Sequence, residues 1–256
     1  SLGYDLKILG EDIAPSAFYS DDLPAIEPLN FTLAAKGAGI DPDTLTAEVP
    51  LSANKGAVEG YVYTEAHLDA TLEGGTVDLH SLSLLTPYGD LKAKGQVDLD
   101  GPLALNANLE VPDLGPIGAT AGQSLKGRAS IKAKASGTLE DPKATFSALM
   151  KDVAIVQGGE TSLTLKSLTL DGDFVMVNEG PKVDVTGTGE ALSSAAFSLT
   201  RFSLDGGYQG DTASLTLEGV DPDGSPLMVQ ADATLGDTTL INTKALEVPV
   251  GDNSWT

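Results

Sequence analysis

The sequence predicts an all-β protein built around a long antiparallel sheet, and three of its features lead to that prediction. Apolar residues recur at every second position in many runs, which places them on one face of a strand. Turn sequences rich in Asp, Gly and Pro separate these runs, and the chain has 29 glycines and 14 prolines. No segment holds the i, i+3, i+4, i+7 spacing of an amphipathic helix for three turns. Because the connections are short, we expect consecutive strands to pair.

The alternation is clearest around the stretch KAKGQVDLDGP, which begins at Lys92. The run Leu91–Leu99 places apolar residues at odd positions and polar residues at even ones. The sequence Asp100-Gly101-Pro102 then supplies turn residues, and Leu103–Val111 alternates again. The pattern predicts a β-hairpin over residues 91–111.

A second stretch, KAKASGTLEDP, begins at Lys132 and repeats this arrangement. Residues Leu125–Ala135 alternate, Glu140-Asp141-Pro142 marks a turn, and Ala144–Met150 returns with its apolar residues on one face. Its polar face carries a basic stripe, formed by Lys126, Arg128, Lys132 and Lys134, with Lys92 and Lys94 on the earlier copy. We interpret the repeated phrase as a hairpin module whose lysines point outward into solvent.

The same alternation recurs in nine further runs along the chain: Phe31–Ala38, Thr44–Val49, Thr76–Leu85, Ser162–Leu170, Lys182–Gly187, Ala196–Leu204, Ser214–Gly219, Leu227–Leu235 and Thr239–Val248. One run changes phase, because Val77 and Leu79 share a face while Leu82 and Leu84 lie one step off it. A β-bulge near His80 would return all four side chains to one face.

The remaining segments give the expected organisation of the chain. Residues 1–29 are predicted to be an irregular leading segment, 30–250 a single elongated β domain with two halves joined near 112–124, and 251–256 a tail. Short helix candidates lie at Pro15–Tyr19 and Ala191–Ala195, and Pro112–Gln123 is a Pro/Gly-rich bridge. We interpret the chain, which starts at Ser1, as a piece of a longer protein.

Composition excludes several classes of function. The chain has 37 acidic and 15 basic residues, a net charge of −22, which repels nucleic acid and disfavours contact with an anionic membrane surface. No run reaches the roughly 18–20 apolar residues of a membrane span. Cysteine is absent, which fits an oxidising compartment. Aromatic residues make up 5% and hydrophobic residues 41%, so the apolar faces consist mostly of Leu, Val and Ala.

The sequence offers no convincing catalytic or metal site. The two histidines, His67 and His80, lack the spacing of a zinc site. The sequences Asp221-Pro222-Asp223-Gly224 and Asp171-Gly172-Asp173 lack the full ligand order of a calcium loop and are better interpreted as turns. No nucleophile-elbow, phosphate-loop or dinucleotide motif is present. We therefore expect a protein that is not an enzyme and needs no cofactor or metal.

The apolar face of the predicted sheet poses the main question about function. An all-β chain has to cover this face, and it has no helices with which to do so. Either a second sheet packs on it and closes a dry core, or the sheet forms a trough whose apolar lining holds an apolar partner. Alternation alone does not distinguish these two arrangements.

Three stretches resemble a known family. They are the G-T-L-x-D-P sequence at Gly137–Pro142, the L-x-G-x-A sequence at Leu125–Ala129, and Thr86–Ile117. Together with the long alternating strands they resemble the TamB/AsmA-like family, the translocation and assembly module subunit and its relatives. The resemblance covers most of residues 25–245. It implies an all-β fold in which a long antiparallel sheet curls into a taco-like trough with a hydrophobic groove.

The resemblance also implies a location and a role. Members of this family are anchored in the inner membrane of Gram-negative bacteria and cross the periplasm. They are non-enzymatic and support outer-membrane biogenesis, both through β-barrel protein assembly and as bridges for phospholipid transport. The implied partners are phospholipid or another acyl lipid, neighbouring segments of the same long chain, and an outer-membrane β-barrel assembly protein. Nucleic acid is not among them.

On this interpretation the apolar groove carries acyl chains between the two membranes. Moving an acyl chain through water costs about 0.8 kcal/mol per CH₂, and an even apolar lining removes that barrier. The residues expected to line the groove are Leu91, Ala93, Val97, Leu99, Leu103, Leu105, Leu109, Leu125, Ile131, Phe146, Leu163, Leu165, Val183, Val185, Leu215, Leu217, Val229 and Leu235. The alternative is a closed β-sandwich, a structural or adhesive module of a secreted or surface protein, in which these side chains form an ordinary core.

Overall fold

Consecutive strands dominate the computed structural model, which describes residues 3–13, 29–38, 46–58, 61–120, 122–157, 160–177, 180–234, 240–250 and 253–255. Within these ranges the chain forms sixteen strands and one short helix. The strand order in the sheet is the order in the chain, and the pairs are antiparallel. The predicted all-β antiparallel class is therefore confirmed, while the curled trough stays a prediction.

The elements have the following bounds. The first half of the chain contains β1 Gly3–Ile13, β2 Leu29–Ala38, β3 Thr46–Val58, β4 Tyr61–Glu73, β5 Thr76–Thr86, β6 Gly89–Asp98, β7 Leu103–Val111 and the helix α1 Gly115–Thr120. The second half contains β8 Ser124–Gly137, β9 Pro142–Gln157, β10 Glu160–Val177, β11 Gly180–Ser194, β12 Ser198–Gln209, β13 Thr212–Val220, β14 Pro226–Thr234, β15 Leu240–Val250 and β16 Asn253–Trp255.

The chain divides into two compact units. The first unit comprises Ser1–Glu110 with Lys134–Pro142, and the second comprises Val111–Ala133 with Lys143–Thr256. The strand β8 contributes residues to both units, because its last four residues, Lys134–Gly137, belong to the first.

In the first unit, the predicted hairpin over residues 91–111 is confirmed. Leu91 pairs with Leu109 and Val97 with Leu103, so the apolar residues of β6 and β7 share one face. The turn is closed by the Asp98 amide, which donates to the Pro102 carbonyl oxygen at 2.9 Å. The Asp98 carboxylate accepts a hydrogen bond from the Asp100 amide at 3.1 Å.

The bulge that the sequence predicted near His80 is also present. Along β5 the pairing with β6 shifts between Leu79 and Leu82, so that Leu79 lies opposite Gly95 and Leu82 opposite Ala93. Because Ala93 and Gly95 lie on the same face of β6, the shift returns both leucines to the apolar face.

In the second unit, a line of irregular backbone crosses three adjacent strands. Asp152 in β9 and Ala191 in β11 have φ of 54° and 52°, and both lie opposite Lys166 of β10. Beyond this line the apolar residues change phase, so that Leu165 and Leu168, three residues apart, pack in the same cluster. The line keeps the apolar side chains on one face while the alternation shifts by one residue.

Four expectations about the secondary structure of individual segments differ from the structure, and the first of them concerns the irregular line. Residues 191–195 are not helical, since β11 runs to Ser194 and the small residues there accompany the phase change. The helix α1 lies instead inside the Pro/Gly-rich bridge. The strand β1 lies within the leading segment that was expected to be irregular, and β16 lies within the expected tail. The helix candidate Pro15–Tyr19 falls outside the described residues.

Candidate functional site: an apolar sheet face

A continuous apolar face covers the first unit from β2 to β7. Residues that lie directly opposite each other in an antiparallel pair point to the same side of the sheet, so the registers define rows across the strands. One row consists of Leu33, Leu51, Leu68, Leu82, Ala93 and Ala107. The next consists of Phe31, Ala53, Ala66, Leu84, Leu91 and Leu109. In a third row Leu79 lies opposite Gly95, and Gly95 lies opposite Leu105. In a fourth row Val97 lies opposite Leu103.

Most side chains of this face are only partly buried. Its buried members are small or lie near the strand ends, namely Ala47, Ala53, Ala70 and Leu103. The leucines of the middle rows, such as Leu68, Leu82 and Leu91, keep part of their surface exposed. The described chain therefore covers this apolar face incompletely.

The opposite face of the first unit is polar. One row across it contains Ser52, His67, Ser83, Lys92 and Asn108. Three of these five residues, Ser52, His67 and Lys92, are exposed, while Ser83 and Asn108 are partly buried, and the face carries both acidic and basic residues. The strands of this unit are thus amphipathic, with one side suited to water and the other to hydrocarbon.

The second unit also collects its apolar residues on one face. Phe146, Val185 and Leu215 share a row with Gly172, Gly206 and Ala231. Leu217 and Val229 share the next row with Ala148, Leu170, Gly187 and Leu204. Val183 lies in a third row, opposite Phe174 and Tyr208. The registers therefore bring these six predicted lining residues onto one face.

One end of this second face is a packed core. Leu165, Leu199, Phe202 and Leu227 form a buried cluster, against which Leu163, Leu168, Leu192, Leu217 and Val229 pack. Leu199 is fully buried, and Leu165 is 8% exposed. Leu165 was predicted to line a groove, and in the described chain its side chain is enclosed by the protein's own leucines and phenylalanine.

Two other predicted lining residues lie elsewhere than expected, and a third, Leu103, lies on the apolar face but is buried. Leu99 lies in the turn after β6, where its amide donates to the Gly75 carbonyl oxygen at 3.0 Å and the residue is 48% exposed. Leu125 faces α1, because a Cβ built on Gly118 would lie 2.7 Å from the Leu125 Cβ. Leu103 is buried rather than lining an open surface. Ile131 is partly buried in β8, and Leu235 falls outside the described residues.

The predicted set also missed the first half of the apolar face. Leu33, Leu51, Leu68, Leu82 and Leu84 belong to the same rows as the predicted Leu91, Ala93 and Leu109. The alternation from Phe31 to Ala38 was a signal for the first of these, and the bulge at His80 was the signal for the last two.

On the apolar face of the second unit, phenylalanine rings lie over glycines of the neighbouring strands. The ring of Phe146 covers Gly172 and the ring of Phe202 covers Gly189, so that a Cβ at either glycine would lie 2.3 or 2.2 Å from a ring carbon. Gly172 and Phe146 lie directly opposite each other in β10 and β9. The Phe202 ring is buried in this position, and Phe146 is partly buried.

Replacing Gly172 with alanine is expected to lower the free energy of unfolding by about 1–3 kcal/mol, because the new methyl group displaces the Phe146 ring. Thermal unfolding followed by circular dichroism measures the effect. Gly206→Ala is the matched control in the same row, since its nearest contact would be 3.3 Å to a Val185 methyl group, which has to shift by only a few tenths of an ångström. Equal stability of the two variants would contradict the ring-over-glycine packing.

Tyr63 is a buried residue with an unsatisfied polar atom. It is 6% exposed, and its hydroxyl has no hydrogen-bond partner among the described residues. Burial raises the pKa of the Tyr63 phenol above its ordinary value of 10.0, so the group is neutral at physiological pH. Its ring lies over Gly56, in the same manner as the phenylalanine–glycine pairs.

Tyr63→Phe is therefore expected to raise the free energy of unfolding by about 1–3 kcal/mol, because it removes a buried hydroxyl that makes no hydrogen bond. Urea denaturation provides the measurement. Tyr88→Phe, at a partly buried position, is the control and is expected to stay within about 0.5 kcal/mol of the wild type. A less stable Tyr63→Phe variant would show that the hydroxyl has a partner.

The two histidines form cross-strand hydrogen bonds on the polar face. His67 Nδ1 lies 3.0 Å from Ser52 Oγ, and His67 Nε2 lies 2.6 Å from Glu65 Oε1. His80 Nε2 lies 2.7 Å from Thr71 Oγ1. The Ser52–His67 and Thr71–His80 contacts connect neighbouring strands, while Glu65 and His67, whose side chains are half exposed, both belong to β4. Within the described ranges, no three His, Cys, Asp or Glu side chains are grouped to hold a metal ion.

The basic stripe lies on the exposed side of β8. Lys126, Arg128, Lys132 and Lys134 are all exposed. Arg128 pairs with Asp152 at 3.0 Å, which stabilises the fold little because both side chains are exposed. The lysines thus point away from the apolar face, as the sequence predicted.

Two depressions lie on the polar face of the second unit, across β10 to β14. The larger has a volume of about 780 Å³ and a mixed lining of Ser, Thr, Glu, Arg and apolar residues. The smaller has a volume of about 420 Å³ and is lined mostly by Thr, Ser, Asp and Glu. None of the predicted lining residues contributes to either of them.

No helix in the described part of the chain has the length and apolar character needed to cross a bilayer. Comparison with known proteins found no matching family model, no matching curated protein and no matching solved structure.

Proposed function

We propose that the apolar sheet face of the first unit holds the acyl chains of phospholipid, as part of a periplasmic protein that carries lipid between the inner and outer membranes. The observation that carries the proposal is the set of apolar rows from β2 to β7, whose leucines are only partly buried. Contiguous exposed apolar surface on a soluble, strongly charged chain is typical of a site for an apolar partner.

The composition of the face suits a mobile guest. Leu, Val and Ala side chains present many weak contacts of similar strength, and each acyl CH₂ gains about 0.8 kcal/mol by leaving water. Aromatic rings that lie flat over glycines add little relief, so an acyl chain can slide without meeting a deep pocket. The polar, acidic opposite face keeps the sheet in solution and opposes edge-to-edge association.

The resemblance of Gly137–Pro142 and its surroundings to the TamB/AsmA-like family supports the periplasmic location, anchoring of the whole protein in the inner membrane, and a role in outer-membrane biogenesis and β-barrel protein assembly. Neighbouring segments of the same long chain would then continue the face. On this proposal the chain has no catalytic residues, and its function is to bind the acyl chains of lipids on its apolar face.

The buried cluster around Leu199 favours the alternative for one part of the second unit. There the apolar face is sealed by the protein's own side chains, as it would be in a structural or adhesive β module. The residues of the first unit are therefore the ones on which lipid binding has to be tested.

Lipid extraction from the purified chain tests the proposal. The protein is expressed in the periplasm, purified without detergent and examined by native mass spectrometry, and its organic extract is analysed for phospholipid. We expect protein carrying phospholipid in a stoichiometric complex. A protein of apo mass, with no lipid in the extract and no uptake of phospholipid from added vesicles, would support the structural module instead.

A further inference from the structure

The larger polar depression of the second unit has the features of a ligand site. It has a volume of about 780 Å³, within the roughly 300–1,000 Å³ of small-molecule sites. Ten of its fourteen lining residues, Thr188 and Ser203 among them, belong to the side of the sheet opposite the apolar rows. The other four, Gly189, Phe202, Gly219 and Leu227, occupy the alternate positions between them. A ligand bound here would be separate from any lipid on the apolar face.

A row of hydroxyl groups forms the floor of this depression. Thr169, Thr188 and Ser203 lie directly opposite one another in β10, β11 and β12, and Glu218 of β13 continues the row. The hydroxyls of these three residues hydrogen-bond to no described residue. They present an ordered set of donors and acceptors to whatever occupies the depression.

Arg201 adds a cation that has no partner in the described chain. It lies opposite Glu190 in the register, but the Glu190 carboxylate bonds instead to Lys166 Nζ at 3.3 Å. The Arg201 guanidinium makes no ion pair or hydrogen bond to a described side chain, although Glu218 belongs to the same lining. A guanidinium provides up to five N–H donors in a planar fork, which suits a ligand rich in oxygen acceptors.

The lining carries charges of both signs. Arg201 lies opposite Glu190, which is paired with Lys166, and Glu218 lies opposite Ser203, two residues further along β12. The lining therefore favours neither a strongly anionic nor a strongly cationic ligand. Neutral hydroxyl groups, which donate to carboxylates and accept from guanidinium, are the complement of this set.

One wall of the depression is apolar. Val220 and Pro226 lie opposite each other at the start of β14, and Met228 follows on the same face. A sugar ring presents hydroxyl groups at its edges and C–H groups on its faces, and it needs polar and apolar contacts side by side. We propose that this depression binds a neutral oligosaccharide, with Arg201, Glu218 and Thr188 contacting its hydroxyl groups and Met228 and Pro226 its C–H face.

Saturation-transfer NMR and calorimetry on the whole chain, with maltohexaose, cellohexaose and N-acetylchitohexaose as probes, test the proposal. We expect at least one probe to bind, and we expect Arg201→Gln and Thr188→Val each to weaken its binding about tenfold or more, because each removes hydrogen bonds to the sugar. The control is Thr145→Val, an exposed threonine of the polar face outside the depression, which is expected to bind like the wild type.

Circular dichroism confirms that each variant is folded before its affinity is measured. Failure of all three probes to bind the wild-type chain would overturn the proposal, as would binding that Arg201→Gln and Thr188→Val leave unchanged. Binding weakened equally by Thr145→Val would place the sugar outside the depression and would also overturn it. None of these outcomes depends on whether the apolar face binds lipid.

Discussion

Leu199→Ala is expected to destabilise the chain by about 2–5 kcal/mol, because it opens a cavity in the most enclosed part of the protein. Leu199 is fully buried and packs with Leu165, Phe202 and Leu227. It also covers Gly219, whose Cβ, if present, would lie 2.8 Å from a Leu199 methyl group. Urea denaturation followed by circular dichroism measures the loss in the free energy of unfolding.

Leu215→Ala is the matched control for this change. Leu215 lies on the apolar face of the same unit but is 41% exposed, so its truncation removes fewer contacts and leaves no closed cavity. We expect a loss below about 1 kcal/mol for this variant. Similar losses for the two leucines would mean that the cluster is no more packed than the rest of the face.

Val97→Asp is expected to lower phospholipid occupancy about tenfold or more while the chain stays folded. Val97 lies in the row between Val77 and Leu103 on the apolar face of the first unit, and it is partly buried. A carboxylate at this position reaches water at the surface of the protein, but it meets hydrocarbon wherever an acyl chain covers the face, which is strongly unfavourable. Quantification of extracted lipid per mole of protein provides the measurement.

Asn106→Asp adds the same charge to the opposite face, where Asn106 lies opposite Lys94, and it is expected to keep the wild-type lipid content. Circular dichroism of both variants separates the two possible causes of lipid loss. Global unfolding of Val97→Asp would indicate that this face is an ordinary core. A folded Val97→Asp variant with undiminished lipid would place the lipid elsewhere.

Much of the fold follows from local features of the sequence. Alternation in Leu91–Leu99 and Leu103–Val111 fixes which residues share a face, and the Asp-Gly-Pro turn fixes where the chain reverses. The bulge at His80 was predictable because a one-residue phase change inside an apolar run has few other structural solutions.

Other features depend on contacts between strands and could not be read from one segment. The phase change near Ala191 involves three strands at once, and its sequence of small residues is equally compatible with a short helix. The distinction between Leu165, which is enclosed, and Val97, which is not, requires knowing how neighbouring rows pack, because both residues show the same alternation. The helix α1 was not predicted because its segment contains a proline and two glycines, which have low helix propensity.

The depression on the polar face illustrates the same limit. Thr188, Ser203 and Arg201 belong to ordinary alternating strands, and nothing in their local sequence distinguishes them from solvated surface. Only the register, which aligns the hydroxyls in one row and leaves Arg201 beside a glutamate already paired with Lys166, brings them together.

Photo-crosslinking tests the lipid proposal most directly. A phospholipid with a diazirine near the end of its acyl chain is bound to the wild-type chain and activated by light, and the modified peptides are mapped by mass spectrometry. The proposal predicts adducts on apolar-face residues of the first unit, such as Leu82, Leu91 and Leu105, and none on Lys92 or Asn106 of the same strands. Adducts confined to turns or to the polar face, or the absence of any adduct, would contradict it.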